Sequence, residues 1–174
     1  MRSTRIVLIC AASLLYIGCV VPMDSSGSAE PVSPATTRGS YAATESRIFD
    51  LINGQRRHQG LPPLVYNEQL DQMAKIQAQN MAHFRKMAHV IPEARLPTLS
   101  DRARYVAYRY GRLAENVALG YPDAETVVQG WMTSSGHRTN ILNSAVAETG
   151  IGIARSSTGG FYYCQVFGRR RNSL

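Results

Sequence analysis

Between Asn67 and about Met87 the residues Leu70, Met73, Ala74, Gln77, Met81, Phe84 and Ala88 fall along one side of a helix, the spacing that aligns side chains every third or fourth position. A mostly apolar stripe of that length needs an apolar surface to lie on. Asn67 stands where a cap belongs, because its side-chain oxygen can accept from the free amides of a first turn. A shorter apolar face, Ile48, Leu51 and Ile52, predicts an earlier helix from Glu45 to His58, ended by Gly60 and Pro62-Pro63.

Downstream, Pro92 and Pro97 break the chain, and Asp101 to Tyr110 reads as a short helix in which Arg and Tyr alternate without a clean apolar face. Pro122-Asp123 opens another helix through Val127, Val128 and Trp131, and Ser134-Ser135-Gly136 interrupts it before a last turn reaching Leu142. The period then changes. Thr149 to Ala154 alternates Gly with Ile, Phe161 to Phe167 is aromatic and β-favouring, and Ser156 to Gly160 supplies turn residues, so the pair reads as a hairpin. Shorter extended pieces are expected at Leu64 to Tyr66 and Val117 to Leu119. Helices first and strands last point to an α+β fold, with helices packed on an antiparallel sheet.

The 174 residues leave room for about one domain. Apolar residues are 44% of the chain, enough core material to exclude global disorder. Three cysteines without a CxxC pair exclude a zinc ribbon or a thioredoxin-type site. Residues 1–19 carry Arg2 and Arg5, an uncharged run from Ile6 to Ile17, and Gly18-Cys19, the layout of a secretory signal. That run is about 12 residues, short of the roughly 20 a membrane-spanning helix requires. The Gly18-Cys19 pair, with Leu15 and Ile17 before it, also resembles a lipoprotein cleavage box, which makes Cys19 a candidate for lipidation. Residues 20–43 are rich in Ser, Pro and Thr and read as a disordered linker. The remaining domain is expected over 44–170, with 171–174 as the end of a basic tail.

Charge must be read after export. Losing Arg2 and Arg5 leaves 17 basic against 12 acidic residues, near +5. The anions such a protein meets are wall polymers and lipid headgroups rather than nucleic acid, and the Arg169-Arg170-Arg171 run is the densest contact candidate, with a solvated tail as its plainer reading.

Four polar residues close or follow predicted elements: His89, Glu115, His137 and Glu148. Two imidazoles and two carboxylates in one cleft would shift one another's protonation and could hold a divalent ion such as zinc, His89 and His137 with Glu115 as ligands. Spacing alone does not bring them together, since they span about 60 residues without an HExxH pair.

A resemblance does. The strings Met87-Ala88-His89, Ala114-Glu115-Asn116-Val117-Ala118, Trp131 through Gly136-His137-Arg138-Thr139-Asn140-Ile141-Leu142, Glu148-Thr149-Gly150-Ile151-Gly152 and Tyr163-Cys164-Gln165-Val166-Phe167-Gly168 occur in this order. Together they resemble the CAP family, or SCP-like extracellular domain, in its short bacterial form, from about Glu45 to Gly168. The resemblance implies an α-β-α sandwich with a central, mostly antiparallel sheet flanked by helices, and a cleft lined by two histidines and two acids. His89, Glu115 and His137 take three of those positions. The second acid follows the tryptophan in other branches, but Trp131 to His137 holds no Glu or Asp, and Glu148 is the substitute.

The function implied is an exported or lipid-anchored module, expected as a monomer, that binds an extracellular lipid, glycan or peptide ligand without catalysis. The alternative is a metal-assisted or general acid/base hydrolase using the same residues. Trp131 reads as a core anchor rather than a glycan platform because Val127 and Val128 flank it. Gly150 and Gly152 read as close helix packing, Cys164 as a buried thiol, and Asn116 and Asn140 as local caps for the loops of Glu115 and His137. His58 and His83 read as exposed.

Overall fold

The computed structural model describes residues 41–171; the expected signal, Cys19, nearly all of the linker, and residues 172–174 lie outside them. The elements, in order, are α1 (Ala42–His58), β1 (Val65–Tyr66), α2 (Glu68–Phe84), α3 (Leu99–Tyr105), β2 (Tyr110–Leu119), α4 (Ala124–Thr133), α5 (Ser135–Ile141), β3 (Glu148–Arg155) and β4 (Phe161–Arg170). The strands form one sheet in the order β1-β3-β4-β2, antiparallel except for the short parallel pairing of β1 with β3.

Alternation along the strands sorts the core into two layers. Val117, Ala154, Tyr162, Cys164 and Val166 face α2 and α3. Ala118, Ile151, Ile153, Tyr163 and Phe167 face α1, α4 and α5. This is the α-β-α sandwich. The helix layers follow from local chemistry. The Asn67 side chain accepts from the amides of Gln69 and Leu70 to start α2, and Asp123 accepts from Thr126 to start α4. The stripe of α2 lies on Gly150 and Gly152, where an added Cβ would run into the backbone of Asp71 and Lys75. Close packing is therefore the role of these glycines. Trp131 is buried among Val127, Val128 and Phe167 and donates to the Val117 carbonyl at 3.3 Å, a core anchor.

Boundaries differ from the sequence reading in physical ways. The first helix begins three residues earlier, at Ala42, and the second ends at Phe84, where Arg85 turns to a left-handed φ of 51° instead of continuing to Met87. The short helix stops at Tyr105, and Tyr110, expected within it, begins a ten-residue strand of which the sequence reading anticipates only Val117 to Leu119. Arg169 and Arg170 belong to β4 rather than to a free tail.

Candidate functional site

Glu115 points from edge strand β2 into the α2 layer, with its side chain only 3% exposed. A carboxylate so placed needs partners for both oxygens. Oε2 meets the Arg102 guanidinium at 2.5 Å. Arg102 is itself fully buried, and its other terminal nitrogen donates to the Gln77 side-chain oxygen. It reaches that place because α3 starts with a capping box: the Thr98 hydroxyl accepts from the Asp101 amide and the Asp101 carboxylate accepts from the Thr98 amide. One residue later the helix turns Arg102 inward.

Gln77 has a second task. Its amide nitrogen donates to the Ala88 carbonyl and pins the chain that follows α2. The next residue, His89, then lies with Nδ1 at 2.9 Å from Glu115 Oε1. Its side chain is 57% exposed, so the ring covers the carboxylate and keeps its other edge toward solvent. Cys164 completes the floor. Its thiol donates to Glu115 Oε2 at 3.4 Å, and burial first, then the neighbouring carboxylate, pushes its ionisation up. A thiol held protonated in this way is not a nucleophile.

His137 enters from α5 on the other side of the sheet edge. The Asn116 amide donates to the His137 carbonyl at 3.2 Å, while the Asn140 amide donates to Asn116 Oδ1 at 2.9 Å and to the Glu115 carbonyl at 3.3 Å. These asparagines are cross-ties between β2 and α5, not the local caps expected from sequence. The two imidazoles are driven apart electrostatically. The hydrogen bond to Glu115 raises the His89 pKa, whereas burial, followed by the charge of His89, lowers that of His137.

Glu148 does not join them. It lies on the same sheet face as Glu115, but β4 separates the strands, about 10 Å across. Its oxygens accept from the Asn67 amide at 2.9 Å and the Tyr108 hydroxyl at 2.6 Å, with Arg170 at 3.5 Å. Burial, then this bond, raises the Tyr108 pKa well beyond the usual phenol range. Glu148 thus ties the start of α2 to the end of the sheet. Of the four expected residues, His89 and Glu115 are in direct contact, His137 is tied to the same strand through its backbone carbonyl, and Glu148 is a structural carboxylate.

A metal ion does not fit the remaining three. Among the described residues no three His, Cys, Asp or Glu side chains stand close enough to hold one. Arg102 places a fixed positive charge against Glu115, where a cation would have to bind. Sequence reasoning missed Arg102 and gave Gln77 only a core position; the Thr98-x-x-Asp101 box was the readable signal for the first. His58 and His83 are exposed on their helices.

Comparison with known proteins decides the family. The model of the cysteine-rich secretory protein family, CAP, matches residues 49–167. The chain belongs to the CAP family. This CAP chain is 34% identical over 119 residues, 68% of its length, to the uncharacterized protein YkwD of Bacillus subtilis, covering 46% of that protein. It is 31% identical over 127 residues, 73% of its length, to the uncharacterized membrane protein YlbC of the same organism, covering 35% of it. It therefore spans less than half of either relative. Among solved structures, an extracellular protein containing an SCP domain from Bacillus anthracis superimposes with a TM-score of 0.71 at 29% identity, over 81% of this chain and 45% of that one. An outer surface protein of Borrelia burgdorferi gives 0.69 at 19% identity, over 75% and 96%, a likeness of fold. In the CAP fold so defined, His89, Glu115 and His137 occupy β2 and the segments packed against its edge.

Proposed function

We propose that this CAP protein is exported and binds an extracellular lipid, glycan or peptide at the His89–Glu115–His137 face, as a monomer and without catalysis. The observation that carries the reading is the engagement of Glu115. One oxygen holds His89 and the other holds Arg102 and Cys164, so this carboxylate positions an imidazole and has no free oxygen to activate water. His89 is left with an exposed ring edge that can meet a ligand. Export is supported by Arg2, Arg5, the apolar run and Gly18-Cys19, and by the 29% identity to a protein described as extracellular. Cys19 is the site at which a lipid anchor would attach, and a mature mass without acyl chains refutes that part.

The test incubates the purified protein with peptidoglycan sacculi and with casein. The reading expects no soluble fragments from either. Release of fragments that disappears in His137→Ala replaces it with a hydrolase.

One observation favours that second reading. Two imidazoles whose protonation is pushed in opposite directions, His89 up and His137 down, supply an acid and a base near neutrality. Fragment release by this route would follow a bell-shaped pH profile and persist in EDTA.

A further inference from the structure

The arginines at one corner of the sheet take no part in this site. Arg169 and Arg170 end β4, and Arg171 continues the ladder by donating its amide to the Arg109 carbonyl at 3.1 Å. The register sets Arg112 of β2 directly opposite Arg169. Two strands distant in sequence thus place Arg109 beside Arg171 and Arg112 beside Arg169, in rows separated by the Tyr110–Arg170 pair, and all four are exposed. Like charges facing each other across a ladder repel. Among the described residues, no carboxylate pairs with any of the four. Arg170, on the intervening position, is already taken by Gln69 and Glu148.

Arg169 is fixed as well as unpaired. Its guanidinium donates to the carbonyls of Ala145 and Ser144 at 2.8 and 3.2 Å, which orients the group and leaves its charge uncompensated. Arg109 also borders a cavity of about 500 Å³ shared with Ser100, Arg104 and Tyr110. Repulsion of this kind is relieved when an anion with several charges bridges the rows, and guanidinium groups bind phosphate oxygens through charge-assisted hydrogen bonds. Arg169 and Arg171 lie two strand residues apart, about 7 Å, which suits a ligand whose charges repeat along a line. A bilayer fits less well, since among the described residues the only exposed large apolar one on β2 or β4 is Leu119, at the opposite end of the strands.

We propose that this corner is a binding site for a linear, phosphodiester-linked polyanion of the kind a cell envelope supplies, with Arg109, Arg112, Arg169 and Arg171 each taking a phosphate. The site is separate from the His89 face, and only its encounter with such a polymer in the cell rests on the export reading. The test measures binding of the protein purified from cells to poly(glycerol phosphate) as NaCl is varied. Four contacts predict a slope of log K against log salt of about −2.8, at about 0.7 released ions per phosphate, the figure for single-stranded polyanions. The double variant Arg109→Gln/Arg112→Gln keeps every side-chain hydrogen bond described above and should halve that slope to about −1.4. Arg169→Gln/Arg171→Gln should do the same, and should it fail to fold, the first variant still decides. A wild-type slope in Arg109→Gln/Arg112→Gln overturns the site. So does tighter binding to phosphatidylglycerol vesicles than to the polymer. Cell fractionation reports export separately, so failure of that reading is not confused with failure of this one.

Discussion

Glu115 stands in a row across the sheet with Val166 and Gly150, and Glu148 stands in the next row with Gly168 and Leu113. Both carboxylates face the α2 layer. In the row of Glu115, Gly150 lets the backbone of α2 come close over the sheet beside Val166, and the charge is met by a buried guanidinium. In the row of Glu148, Gly168 leaves room for the Tyr108 ring, where a Cβ would collide with the phenol, and the carboxylate is met mainly by neutral donors at the rim. Residue type therefore does not define the site. A carboxylate in a dry layer must have a fixed cation and can then hold an exposed histidine, whereas one at a wet rim serves as a tie between elements.

The largest expected effect breaks the first member of this pair. Arg102→Met leaves Glu115 buried without its cation and should cost about 3–5 kcal/mol in urea unfolding, while Arg102→Met/Glu115→Leu should recover most of the loss. Equal stability of the single and double variants would mean that the ion pair does not govern this layer. Next is Gly168→Ala, which pushes Tyr108 off Glu148 and should destabilise by about 1–3 kcal/mol as an overpacking change. Tyr108→Gly in the same background should then remove the penalty specific to the added methyl. Glu148→Gln, which keeps an acceptor for Tyr108 and loses the charge near Arg170, should cost only about 1 kcal/mol and leave the His89 titration unmoved.

The smallest effect is on pH dependence. Glu115 raises the His89 pKa above its ordinary 6.5. The protonated pair therefore adds stability in full below that value, and the contribution is lost as pH rises through the raised one. More than half of the His89 ring is exposed, so the stability change is strongly screened and is best followed by NMR titration of the imidazoles. His89 should titrate above 6.5 and His137 below it, and Glu115→Gln should bring His89 down.

Much of this architecture was legible. Asn67 and the stripe of α2, Asp123 before α4, and the Ser156–Gly160 turn are local signals whose effect does not depend on distant residues. Tyr110 to Asn116 was not legible as strand, because Gly111, Arg112, Ala114, Glu115 and Asn116 have little intrinsic β preference and the segment is extended only by pairing with β4. Arg102 was overlooked for a similar reason. An arginine among arginines and tyrosines on a short helix reads as surface, and only Gln77 and Glu115, from two other elements, make its burial tolerable. Asn116 and Asn140 looked like local caps because sequence offers each only its neighbours as partners.

By itself the chain determined its layers: helical stripes with their caps, a period-two hairpin, and two glycines where a helix must approach a strand. These follow from steric and hydrogen-bonding rules acting over a few residues. Tertiary structure alone decided which carboxylate carries the histidine, which arginine is buried against it and which ones crowd together at a corner, because the energy of a charge is set by what surrounds it in space and not by its place along the backbone.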